Sequence, residues 1–175
     1  MRAGVYGFFY LLLTVAAVII VLLTLNWLPT ALQQDTMRRY DSVEEVRAKL
    51  NIREIYVPSY FPQSILWPPS EILAQTRPYF AILMVFRDTE KREVALIVSQ
   101  AASAAFSENT LITFAKITRT IPYDLKGRKA LLVVGMGKND EPCSRISWTE
   151  SKERIVLTMK SPPFELIRIA ESMIY

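Results

Sequence analysis

The chain of 175 residues contains no histidine and one cysteine, Cys143. Without an imidazole there is no Ser-His-Asp or Cys-His relay, no ordinary zinc set and no histidine-ligated haem. The commonest general base is missing too. A few other arrangements have residue types that do chemistry. Cys143 in NDEPCSR stands near Arg145, and a guanidinium lowers a thiol pKa. No base accompanies it, so an incidental loop thiol is the better account. LLVVGMGKNDE runs a strand into Gly135, Gly137 and Lys138. It lacks the G-x-x-x-x-G-K-[ST] spacing, and no helix follows to present its N-terminal amides to a phosphate. Asn139 and Asp140 read as turn residues instead. Asp140 and Glu141 are adjacent carboxylates, which is not the spacing of a calcium loop. Ser151 and Lys152 are neighbours in ESKER, but a Ser-Lys dyad needs a buried lysine and a charged turn is the opposite setting. The expectation is a protein with no catalytic residue, no metal site and no cofactor.

The elements around these residues divide the chain. Val5 to Leu28 carry no charge, with Tyr6, Phe8, Phe9 and Tyr10 near one end and Trp27 at the other. At about 1.5 Å per residue such a run exceeds the roughly 30 Å hydrocarbon core, and its aromatics fall where interfacial belts lie. A cleaved signal peptide fits less well, because the apolar run is too long and LNWLPTALQQ offers no small-x-small site. A transmembrane anchor is therefore expected over 5–28, a neck over 29–41 and an α+β domain over 42–175. Ala3 and Gly7 have the small-xxx-small spacing of packed membrane helices. Arg2 before the run and Arg38 and Arg39 after it leave orientation undecided. The formal charge is +4, with the basic residues scattered among acidic neighbours as in SVEEVRAKLNIRE. A nucleic-acid footprint would need a clustered basic stripe, so no nucleic acid is expected as partner. A lone cysteine allows no intramolecular disulfide and does not decide the redox compartment.

Within 42–175 the pattern predicts a short amphipathic helix from Ser42, with Ser42 and Glu45 as a capping box and Val43, Val46 and Leu50 apolar. IREIYV reads as a strand ended by Pro58. PYFAILMVFR, REVALIVSQ, TLITFAKITRTI and KALLVVG read as further strands, and RISWTE with ERIVLTM as a hairpin about Ser-Lys. The tail starts a helix with Ser161 as N-cap and Pro162 in the first turn, placing Leu166, Ile169, Ala170 and Met173 on one face. Helix, strands, then helix predicts α+β: an antiparallel sheet with helices packed on one face.

YVPSYFPQSILWPPSEI, residues 56–72, holds four prolines and four aromatics. Its prolines forbid a helix and restrict the residues before them to extended backbone. Tyr60 and Phe61 then point to opposite sides. The segment reads as a rigid plug on the sheet edge, with Trp67, set before two prolines, the residue best placed to meet a partner or ligand. Tyr60, Phe61 and Trp67 are the candidate contact residues. Trp148, between Ile146 and Thr149, reads as core.

Pro58, Tyr60 and Pro62, then Trp148, then Leu166, Ile167, Ile169, Ala170, Glu171 and Ser172 form a series of short motifs from about Ser42 to the C-terminus. The series resembles a bacterial extracytoplasmic domain of unknown function, found behind a transmembrane helix in anti-sigma-factor-like proteins. It is distantly similar to periplasmic sigma-factor regulators and lipoprotein carriers. The resemblance implies a non-catalytic single-pass protein of the cytoplasmic (inner) membrane, N-terminus inside and C-terminal domain outside. Such relatives carry a cytoplasmic domain before the span, whereas only MRAG precedes it here. Direct sigma-factor binding is thus not expected. The function this suggests is an accessory or assembly subunit, with membrane lipid and an integral membrane protein as partners. The alternative is an envelope sensor or carrier of lipid or hydrophobic peptide.

Overall fold

The computed structural model describes Leu13 and residues 15–21, 37–52, 54–103, 106 and 111–174. They belong to two units, Met1–Met37 and Arg38–Tyr175. In the first unit, Leu13 and residues 15–21 are helical and exposed. The expected transmembrane helix is corrected. Among the described residues no helix is long and apolar enough to cross a membrane. The reading as a single-pass inner-membrane protein with an extracytoplasmic domain is overturned with it. Ala3, Gly7 and the other residues of the apolar run lie outside the described residues.

The α+β expectation gives way to one dominant element in the second unit, an eight-stranded antiparallel sheet ordered β1-β2-β3-β4-β8-β7-β6-β5. Its strands are β1 (Arg38–Tyr40), β2 (Glu71–Gln75), β3 (Ala81–Arg87), β4 (Val94–Ala101), β5 (Phe114–Leu125), β6 (Arg128–Gly137), β7 (Pro142–Glu150) and β8 (Glu153–Met159). Two meanders meet where β4 pairs with β8, Val98 opposite Leu157. The helices are short, α1 (Val43–Leu50) and α2 (Pro163–Glu171).

Local chemistry sets the turns. Asp88 Oδ1 accepts the N–H groups of Glu90 and Lys91 and folds β3 back toward β4. Lys126 and Gly127 both have positive φ, 50° and 83°, as a two-residue hairpin of the right twist requires. Ser151, at φ 55°, does the same between β7 and β8. At α1 the Ser42 hydroxyl accepts the Glu45 N–H at 3.1 Å, and the Glu45 carboxylate accepts the Asp41 N–H at 2.7 Å. The second helix starts one residue later than the sequence suggests, with Pro162 as N-cap and no side-chain cap.

One sheet face packs Ile82, Met84, Phe86, Val98, Ile146 and Leu157 into the main core, together with Val46 of α1 and Leu166 and Ile169 of α2. Each such side chain contributes about 1.5–3 kcal/mol by leaving water. On the central strands the alternate residues Leu83, Val85, Ile97 and Val156 are buried as well. The unbroken run AILMVF in β3 suits burial on both faces, which alternation would not. Ile52–Val57 form no strand among their described residues. A side chain from β4 holds that backbone instead.

Candidate functional site

The proline segment is fastened at both ends before it reaches the surface. Gln100, buried in β4, accepts the Tyr56 N–H on Oε1 at 3.0 Å. Its amide donates to the Glu54 carbonyl at 2.8 Å and to the Glu153 carboxylate. Burial pushes the Glu153 carboxyl above its ordinary range, the Gln100 bond opposes this, and Glu54 adds to it. Next, Ser59 and Tyr60 dock on the end of α2. Their N–H groups both donate to the Ser172 hydroxyl at 3.2 Å, and the Ser59 hydroxyl donates to the Ser172 carbonyl at 2.9 Å. Tyr60 Oη donates to Glu165 at 2.9 Å, and the Arg168 guanidinium lies 4.3 Å from the ring centroid. Desolvation raises the Tyr60 phenol pKa, and the bond to Glu165 raises it further. Two of the short motifs read from the sequence, in the proline segment and the last helix, thus make direct contact.

Phe61 and Trp67 separate from Tyr60. Phe61 sits 5.0 Å from Phe86 and 5.2 Å from Trp67, centroid to centroid. Trp67 and Phe86 are near parallel, 24° apart at 6.2 Å. Phe86 is fully buried and Trp67 is 55 % exposed, so the three rings run from the core to the surface. On either side of Trp67 the chain is held to the sheet, the Leu66 N–H donating to the Arg87 carbonyl and the Ser70 N–H to that of Val85.

Trp67 opens onto a groove of about 330 Å³ between the proline segment and the start of α1. Pro58, Pro68 and Pro69 give it stiff apolar walls, and Asp41 and Glu44 line the α1 side. Both acidic residues are exposed. Neither carboxylate forms a hydrogen bond or ion pair among the described residues. Arg47 also lines the groove, but its guanidinium donates to the Ile55 carbonyl at 3.0 Å. The Ser42 hydroxyl is engaged as the helix cap. These groups suit recognition: an aromatic surface, proline walls and two exposed carboxylates outside any ion pair among the described residues.

No protein-family model, curated protein or solved structure matches this chain.

The other sequence candidates fall into structural places. Cys143 is buried, and desolvation raises its thiol pKa, the reverse of what a nucleophile needs. Gly135 lies in β6 where β5 crosses over it: an added Cβ would overlap the Lys116 carbonyl oxygen and come within 2.8 Å of Phe114 Cδ1. Its glycine serves strand packing. The Gly137 N–H donates to the Glu141 carbonyl in a tight turn, and Glu141 pairs with Lys160 at 3.2 Å. Ser151 and Lys152 are exposed in their turn. Among the described residues no group of three or more acidic, Cys or His side chains could hold a metal ion. Trp148 is core, its indole N–H buried without a partner among the described residues.

Sequence reasoning missed Asp41, Glu44 and Phe164. Phe164 is 67 % exposed in the first turn of α2, with the Arg168 guanidinium 5.8 Å from its ring centroid. Its position off the stripe of Leu166, Ile169 and Ala170 was the available signal. For the two acidic residues none existed, because an acid in the first turn, as at Glu44, is an ordinary partner of a helix dipole and Asp41 stands just before the cap Ser42.

Proposed function

We propose that this chain is a non-catalytic binding domain, an accessory subunit that takes an extended segment of a partner protein into the groove beside Trp67. The observation that carries this reading is Trp67 itself. A tryptophan 55 % exposed is costly to leave in water, yet this one is supported from below by Phe61 and Phe86. Large aromatic surface held rigid is the hallmark of binding hot spots, since little side-chain entropy is lost on contact. A carrier of lipid would need a continuous apolar concavity, and this groove carries charged residues along one wall.

The test compares native assemblies of the wild-type chain with those of Trp67→Ala, isolated from cells and weighed intact. The expected result is a defined companion on the wild type that is lost from the variant, with the circular dichroism of the two unchanged. A wild-type chain that runs alone, or a companion retained by Trp67→Ala, sinks the reading.

A further inference from the structure

The groove has a charge of its own that differs from the molecule around it. The chain is net positive at +4, yet the groove is lined by Asp41 and Glu44 against one cation, Arg47, whose charged guanidinium is held by the Ile55 carbonyl, so the lining is net negative. The positive end of the α1 dipole accounts for acidic residues in the first turn. It does not account for an open tryptophan beside them. Phe61 and Phe86 contact Trp67 from the core side, and 55 % of the residue stays exposed beside the groove. Tryptophan is the strongest aromatic partner of a cation, and an indole face next to free carboxylates is a site for positive charge. The volume, about 330 Å³, is at the small end for ligand sites and suits one long side chain with the backbone that bears it.

Resting on the groove reading above, we infer that the occupant is a lysine or arginine side chain of an extended basic segment in the partner protein. Its aliphatic stem lies along Pro68 and Pro69 and its charged head sits over Trp67, between Asp41 and Glu44. A long cationic side chain combines both requirements, an apolar stem for the proline walls and a charged end for the carboxylates. Arginine has the added advantage of stacking flat on the ring.

The experiment titrates the full chain with two capped peptides, Ac-Ala-Ala-Arg-Ala-Ala-NH2 and Ac-Ala-Ala-Leu-Ala-Ala-NH2, following the Trp67 indole resonance by NMR. The resonance is assigned by its loss in Trp67→Phe. The arginine peptide should shift it at concentrations of about 1 mM. Asp41→Asn combined with Glu44→Gln should weaken that binding about tenfold, as should replacing arginine by leucine. Both acidic residues are exposed and their variants keep the fold, which the unshifted Trp148 indole reports. If leucine binds as well as arginine, or the double variant binds like wild type, the cation inference falls while the groove stands as a docking site. If neither peptide moves the resonance, the groove reading falls with it.

Discussion

Trp67 and Ile117 are exposed to nearly the same degree, 55 % and 59 %, but their surroundings differ. Trp67 stands on Phe61 and Phe86, and the segment carrying it is tied to β4 by Gln100 and to α2 by Ser172. Ile117 sits on β5, the last strand of the sheet, where residues 115–122 are all exposed. That strand carries the usual defences of a free edge. Lys116 and Arg119 flank Ile117, and the register shifts between Ile117 and Arg119. Counting pairs from the turn-closing Leu125↔Arg128 puts Pro122↔Leu131 among the non-hydrogen-bonded ones. The missing proline N–H therefore costs the ladder nothing and removes a donor from the outer edge. Equal exposure marks a prepared contact in one place and a guarded edge in the other.

The largest effect separating the two regions should come from their supports. Phe86→Ala removes the ring beneath Trp67 and is expected to cost about 3–5 kcal/mol, whereas Ile117→Ala should stay within about 0.5 kcal/mol. Urea unfolding of both variants measures the difference. Comparable losses would mean that β5 is packed as firmly as the aromatic stack. A smaller effect is expected at a position where β5 and β6 approach closely. Gly135→Ala pushes a methyl group against the Lys116 carbonyl and should cost about 1–3 kcal/mol. Hydrogen exchange should then show β5 and β6 opening ahead of the Trp67 region, and uniform exchange would contradict this.

The smallest effect concerns pH at the Gln100 latch. Burial raises the folded-state pKa of Glu153 above its ordinary 4.5, so the folded state favours the protonated acid. Its stabilising contribution is complete below that value and is lost as pH rises through the raised folded pKa. Glu153→Gln cannot ionise, so relative to wild type it should gain stability as pH climbs from about 4.5 toward neutrality. Parallel unfolding curves at pH 4, 5.5 and 7 decide it. A constant difference between the two proteins would show that Glu153 titrates normally.

Parts of the fold were legible because their signals are local. The cap of α1 lies in Ser42 and Glu45, three residues apart, and the hairpin turns lie in adjacent residues. The proline segment read as stiff and extended because proline sterics act on immediate neighbours. β2 went unread, since EILAQ is short and follows the prolines directly. Residues 52–57 resembled a strand because their apolar pattern is that of one, yet their partner is a side chain 44 residues away at Gln100 rather than another strand. At the site, Trp67 was visible from its neighbours, while Asp41 and Glu44 became part of it only when α1 was set against the prolines.

The sequence by itself determined the strand runs from Ala81 onward, the caps and turns, and which residue types were on hand. Each depends on sterics and hydrogen bonds within a few positions along the chain. Tertiary structure decided that Tyr60 belongs to α2 and Trp67 to a groove, and that β5 forms an outer edge while β3 is buried on both faces. It also decided that the carboxylates of Asp41 and Glu44 line the same groove as an exposed indole. These outcomes depend on which surfaces meet across dozens of residues, and hydrophobic burial, which drives them, is blind to position in the chain.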